Sequence, residues 1–299
     1  MHTQRRLGDW LFHICNYGFF TLFTLLCLFP FYYLFINTIS SNDLSARGLV
    51  TLYPKMIHFD NYIQVLQLKG LAQAALVSGG RTIIGTLLTV AASAFLGYLF
   101  TKRKMWARSF WYRFVIITMY FNAGIIPWYI IMMKLNMTNN FWAYILPAVV
   151  SPFYVILVKT FVESIPDVLE ESAEMDGAGY IVIFSKIIMP LITPIAATIA
   201  IFSAVSQWNS FIDTVFLMTN SKLFTLQFVL YKYLNESTSL AAIIRNSQGA
   251  VGNIDLTNKQ TATSIRTTVS MIVILPILFV YPFFQRYFVK GIMIGAVKG

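Results

Sequence analysis

Charge is what this 299-residue chain has least of: 11% of its residues are Asp, Glu, Lys or Arg, where a soluble domain carries about 25%. With 57% hydrophobic and 16% aromatic residues and a mean hydropathy of +0.67, that deficit excludes an ordinary soluble protein. Cysteine is scarce as well. Cys15 and Cys27 both lie in the first apolar run, and at 1.5 Å per helical residue they stand about 18 Å apart, too far to pair within one helix. The histidines His2, His13 and His58 have no cysteine or carboxylate spacing around them, so no metal site is expected. No Ser-His-Asp set or carboxylate pair can be assembled, and no phosphate loop is present, Gly79-Gly80-Arg81-Thr82 being too short for one. A membrane-embedded enzyme is therefore not expected.

What the chain has in abundance is long apolar runs, near residues 10–36, 76–101, 110–133, 141–162, 191–217 and 264–288. They are too long and too continuously apolar for the alternating strands of a barrel, each about ten residues. The expectation is an all-α polytopic membrane protein, six transmembrane helices forming a single permease domain over residues 1–299. Five of the runs contain or end on proline (Pro30, Pro127, Pro147 and Pro152, Pro194, Pro276 and Pro282), which membrane helices tolerate when neighbours satisfy the freed carbonyls. The second has none. It carries Gly85, Thr89, Ser93 and Gly97 at four-residue intervals instead, a small-residue ladder that lets another helix approach closely.

The 22 basic residues against 12 acidic give +10, an excess that fits loops anchored on anionic lipid and needs no nucleic acid. Arg5 and Arg6 precede the first run, Lys102, Arg103, Lys104, Arg108 and Arg113 crowd the connection after the second, and Arg286 and Lys290 follow the sixth. Both termini are placed in the cytoplasm by these flanks, and the loops near 37–75 and 218–263 outside it. No small-residue cleavage site follows Arg5 and Arg6, so the first run is expected to be an uncleaved span.

The connection at 163–190 breaks the pattern. Glu163, Asp167, Glu170, Glu171, Glu174 and Asp176 are half of all 12 acids. Pro166 suits a first helical turn, Asp167 favours the positive end of its dipole, and Gly177 offers a left-handed position to end it. A short helix over 166–176 is predicted, with Leu169, Ser172, Ala173 and Met175 as a small apolar ridge and Glu170, Glu171 and Glu174 on or beside the polar face.

The stretch Glu171-Ser172-Ala173-Glu174-Met175-Asp176-Gly177, followed nine residues later by Ile187-Ile188-Met189-Pro190, resembles the cytoplasmic signature of importer permeases of ATP-binding-cassette systems: Glu-Ala-Ala, three residues, Gly, nine residues, Ile-x-Leu-Pro. Ser172 replaces Ala and Met189 replaces Leu. The resemblance extends along the chain through Gln207-Trp208-Asn209-Ser210-Phe211 and Gln285-Arg286-Tyr287-Phe288-Val289-Lys290-Gly291, and is greatest to the carbohydrate branch. It implies a multi-pass subunit of the bacterial cytoplasmic membrane, in contact with lipid and forming half of a path for an oligo- or polysaccharide. Its implied partners are a second related permease, two ATPase subunits and an extracytoplasmic solute-binding protein. ATP and Mg would be held by the ATPases and no cofactor by this chain. Glu170, Glu171, Ser172, Ala173, Glu174, Asp176, Gly177, Ile187 and Pro190 would couple it to an ATPase.

Polar residues in hydrocarbon mark a pathway or a bond between helices. On that ground Asn122, Gln207, Trp208, Asn209 and Asp213 are the candidate pathway residues, amides and a carboxylate to read hydroxyls and an aromatic face to cover a sugar ring. The alternative is an ion-coupled secondary transporter of a polar solute, which would carry ionisable residues deep in several spans; here only Asp213 lies close to one.

Overall fold

The computed structural model describes residues 7–68, 70–235 and 261–291, and every regular element among them is helical. The chain divides into two compact units, one of residues up to Leu68 with Lys232–Ile274, the other of Lys69–Tyr231 with the residues from Leu275 onward.

In the first unit, helix Leu7–Thr38 is apolar all round and presents large side chains such as Trp10, Phe12, Phe23 and Leu26 outward, as a helix surrounded by hydrocarbon does. Cys15 and Cys27 are free and exposed on it. Beyond Thr38 the chain turns polar and ties several of its buried polar groups together. Asn61 Nδ2 donates to Thr38 O and to Asn42 Oδ1, both at 2.9 Å, Ser45 Oγ donates to Asn37 Oδ1 at 2.6 Å, and the hydroxyls of Thr38 and Tyr62 lie 2.8 Å apart. Short helices Asn42–Ala46 and Asp60–Leu66 supply these groups. The segment expected to be a polar outer loop is thus a cross-linked cap.

The second unit is built on helix Leu71–Leu99, where Thr89 and Ser93 are buried along the small-residue ladder. A methyl group added at Gly97 would lie 2.6 Å from Val158 Cβ, and one at Gly85 would lie 2.9 Å from Gln207 Nε2. Helix Pro152–Val162 therefore crosses at one end of the ladder and helix Thr193–Asn209 at the other. Ala94, Tyr98, Val158, Val162, Ala173, Ile183, Ile188, Ile192 and Ile199 close one core around the Gly97 end.

Three of the expected continuous spans are interrupted. The run at 110–133 is two helices, Arg108–Tyr120 and Ile125–Lys134, separated at Gly124 (φ +83°), whose N–H is taken by Asn122 Oδ1 at 2.9 Å. In the run at 141–162, 3-10 turns at Phe141–Tyr144 and Leu146–Ala148 meet helix Pro152–Val162 at 46°. The run at 191–217 ends its helix at Asn209, passes through extended Ser210 and restarts as Ile212–Leu217. Segment Tyr180–Leu191 meets Thr193–Asn209 at 79°. Among the described residues, Trp10–Thr38 and Leu71–Leu99 are the two helices long and apolar enough to cross a membrane alone; each of the two bent pairs reaches that length only if its members count as one span. Pro152 and Pro194, each in a first turn, explain where two of these helices begin. The last run lies within helix Ala262–Gly291.

The ladder makes a specific prediction. Gly97→Ala overpacks against Val158 and should cost about 1 to 3 kcal/mol, lowering the apparent Tm of the purified protein by several degrees. At Gly80 an added methyl would meet Phe141 at an ordinary 3.6 Å, so Gly80→Ala should leave Tm unchanged or slightly raised through helix propensity.

Candidate functional site

Arg81 enters the second unit from the middle of an apolar helix and is almost wholly buried. A guanidinium there has to find acceptors. Its Nε donates to Gln207 Oε1 at 3.0 Å, Nη1 donates to Ser210 O and to Asp213 Oδ1, both at 3.2 Å, and Nη2 donates to Asp213 Oδ2 at 2.5 Å. The pair with Asp213 is bidentate, the geometry in which an arginine fork and a carboxylate match. Beneath it lies the ring of Tyr144, 4.5 Å from the guanidinium carbon. Tyr144 is itself held, its hydroxyl donating to Leu223 O at 2.7 Å and accepting from Thr214 Oγ1 at 3.1 Å.

Each acceptor has a local reason for being where it is. Helix Thr193–Asn209 ends one residue before Ser210, so the carbonyl that Arg81 takes belongs to the interruption. Asp213 sits in the first turn of helix Ile212–Leu217 and accepts the N–H of Thr214 at 2.9 Å. Gln207 lies flat against the Gly85 step of the ladder. These groups form one wall of a cavity of about 450 Å³, which Asn122, Gly124 and Trp128 line from the interrupted segment at 121–124 and the helix that follows it. Its surface combines amide, carboxylate and hydroxyl groups with an indole.

Of the residues expected from the sequence to line a pathway, Asn122, Gln207 and Asp213 come together here. Asn209 does not. It faces a separate, mainly apolar groove with Phe202, Val205 and Phe211, because two residues along a helix turn the side chain by about 200°. Trp208 is half-buried and lines neither space; the aromatic residues that line the cavity are Trp128 and Tyr144. Sequence reasoning also missed Arg81 and Tyr144. The signal for Arg81 was present: it is a lone cation inside an apolar run, and Asp213 is the one acid inside another such run.

At the acidic connection the helix is Val168–Met175, with Asp167 at its N-cap, and its exit has the expected left-handed glycine. Gly177 has φ +80°, its N–H bonds Glu174 O at 3.0 Å, and the N–H of Ala178 bonds Ala173 O at 2.9 Å, the two bonds of a Schellman termination. The expected apolar ridge is split. Ala173 turns inward to the Ile183 and Ile188 core, whereas Leu169, Ser172 and above all Met175 face outward with Glu171, Glu174 and Asp176. Glu170 also turns inward and pairs with Lys102, whose ammonium lies 4.2 Å from the centre of the Tyr98 ring. Burial pushes Lys102 below the usual lysine pKa, while the carboxylates of Glu174 and Asp167 pull it back up. Ile187 packs half-buried against the same core from a π-turn, Phe184–Ile188, and Pro190 stands exposed in the next turn.

Comparison with known proteins finds that residues 89–294 match the family described as binding-protein-dependent transport system inner membrane component. The chain is 30% identical to the polygalacturonan/rhamnogalacturonan transport system permease protein YtcP of Bacillus subtilis (strain 168), over 97% of this chain and 99% of that one. It is 32% identical to protein LplC of the same organism, over 97% and 95%. Among solved structures, a chain of a bacterial ABC transporter involved in the import of the acidic polysaccharide alginate superposes with a TM-score of 0.78 at 28% identity, covering 96% of this chain and 99% of that one.

The contact of Gln207 with Gly85 is testable on its own. Gly85→Ala should drive the Gln207 amide off Arg81 Nε and cost about 1.5 to 3 kcal/mol, the worth of a hydrogen bond to a charged group. Once Gln207→Ala has removed that amide, Gly85→Ala should cost much less, so the double variant should be markedly less destabilised than the sum of the singles, as read from thermal unfolding of the four proteins.

Proposed function

The chain belongs to the family of binding-protein-dependent transport system inner membrane components, and on that footing we propose that it is the permease subunit of an ATP-binding-cassette importer that forms half of the translocation path for an oligo- or polysaccharide. The observation that carries this reading is similarity along nearly the whole chain to a polygalacturonan/rhamnogalacturonan permease and to a chain of an alginate importer. The family's dependence on a binding protein supports an extracytoplasmic solute-binding partner and weighs against the ion-coupled alternative. A second permease and two ATPases, the latter holding ATP and Mg, complete the proposed assembly, in which residues 1–299 act as one membrane domain of six spans with both termini in the cytoplasm.

In this reading the solute passes the cavity bordered by Asn122, Gln207 and Asp213, with Trp128 offering an apolar face to a sugar ring; Trp208 and Asn209 act from outside it. Helix Val168–Met175 is the coupling element. Its outward residues, Glu171, Ser172, Glu174 and Asp176, meet the ATPase, while Glu170 and Ala173 hold it to the permease and Gly177, Ile187 and Pro190 set the path of the chain back toward the membrane.

Reconstitution with its ATPases, second permease and binding protein tests the function: uptake of a labelled oligosaccharide should require ATP and loaded binding protein, and ATP-independent uptake would overturn the importer. In that assay Gly177→Val, which places a β-branched residue at a left-handed position at a cost of about 1 to 2 kcal/mol, should uncouple hydrolysis from uptake. Glu171→Lys should weaken retention of the ATPase, and wild-type behaviour of both variants would reduce the helix to a solvated turn. Topology is checked separately: Ser172→Cys, in a background lacking Cys15 and Cys27, should resist an impermeant thiol reagent added to intact cells and react once the membrane is opened.

A further inference from the structure

We infer that Arg81 is a positioning residue for the proposed solute path: it does not bind the solute but locks Gln207, Ser210 and Asp213 into one rigid wall across the interruption between helices Thr193–Asn209 and Ile212–Leu217. The inference rests on the cavity reading above and adds a residue and a role to it. A guanidinium has five N–H groups, and the four bonds to Gln207 Oε1, Ser210 O and the two oxygens of Asp213 leave it one. With its face against Tyr144 and almost no exposed surface, it has little left to offer a passing sugar.

What it does reach is significant. Gln207 belongs to the helix before the interruption, Ser210 to the interruption, and Asp213 to the helix after it. Ser210 still donates its N–H back to Ser206 O at 3.1 Å, but its extended carbonyl goes to Arg81 instead of to the following helix, so the relative position of the two helices depends on groups that touch both. Arg81 is such a group, and it projects from an unbroken helix of 29 residues that fixes its origin. Asp213 is held in turn: besides the two arginine bonds, its Oδ1 accepts from Thr214 N at 2.9 Å and from Ser210 Oγ at 3.3 Å. The carboxylate is thereby held in one rotamer as part of the wall.

A positioning role separates from a merely stabilising ion pair through the fork. Arg81→Lys keeps the charge beside Asp213 but loses the planar geometry that joins Asp213, Ser210 and Gln207 at once. Arg81→Met with Asp213→Leu removes both charges, a replacement that buried pairs commonly tolerate without loss of stability, so this double variant should assemble even if the lysine variant does not. In the complete reconstituted transporter, uptake per assembled complex should fall about tenfold or more in both. Spin labels at Asn122→Cys and Ile212→Cys, in a background lacking Cys15 and Cys27, should give a narrow distance distribution with Arg81 present and one at least twice as broad in either variant. A distribution that stays narrow, or wild-type uptake in the assembled double variant with the wall undisturbed, would overturn the inference. Broadening with undiminished uptake would uphold Arg81 as the organiser of the wall and overturn the cavity as the solute's route.

Discussion

A guanidinium buried in the middle of an apolar helix has to be met by a carboxylate and by oxygens with no other donor, and much of the second unit is arranged around that requirement at Arg81. The free energy of an unpaired buried ion runs to several kcal/mol, more than any single apolar contact supplies. Asp213 must therefore lie within reach of helix Leu71–Leu99, and to put it there the chain after Asn209 leaves the helix, extends through Ser210 and begins a new turn. The interruption that this creates exposes a backbone carbonyl, and the same arginine takes it. Charge pairing and the break in the helix are two sides of one arrangement.

That arrangement needs close approach, which the small-residue ladder permits. Gly85 leaves room for the Gln207 amide and Gly97 for Val158, with Thr89 and Ser93 buried between them. Thr89 Oγ1 reaches Ala148 O at 3.4 Å, so this polar member of the ladder also serves a contact between elements, whereas the Ser93 hydroxyl is buried with no hydrogen-bond partner. Without a hydrophobic force to drive helices together in lipid, packing of this kind and interhelical hydrogen bonds hold them. One helix face thus fixes two crossing helices at once, and the cavity lies at the end where the crossing helix is polar.

How much of this could be read beforehand differed by element, for physical reasons. Helices Leu7–Thr38 and Leu71–Leu99 follow directly from uninterrupted apolar runs, and the ladder follows from period alone. The helix at Val168–Met175 and its exit at Gly177 follow from local chemistry, an acid at the start and a glycine whose φ is positive. Local signals say less about breaks. Asn122, Gly124 and Pro127 in one run, and Ser210 in another, are compatible with a kinked helix as well as with a divided one, and only the tertiary partners of the freed backbone groups decide. Arg81 stands out in its apolar run as a cation, but its partner does not show: Asp213 lies 132 residues away, and pairing at that separation leaves no periodic trace. Asn209 and Gln207 looked alike in composition, yet helical geometry sends them to different spaces.

The split of the acidic helix bears on how motion of that helix could reach the cavity. Glu170 and Ala173, on its inner side, engage Lys102 and the core that contains Tyr98, Val158 and Ile188. Lys102 follows the last turn of helix Leu71–Leu99 by only a few residues, and Arg81 lies about 27 Å from that end of the helix at 1.5 Å per residue. Close-packed interiors transmit displacement instead of absorbing it. Lys102 is tied to the end of helix Leu71–Leu99 by the turn bonds Thr101 N to Tyr98 O and Lys102 N to Leu99 O, so the ion pair at Lys102 and the one at Arg81 are joined through a single helix. A displacement of Val168–Met175 would therefore be carried as a movement of helix Leu71–Leu99, and the first polar groups to feel it at the far end would be Gln207, Ser210 and Asp213.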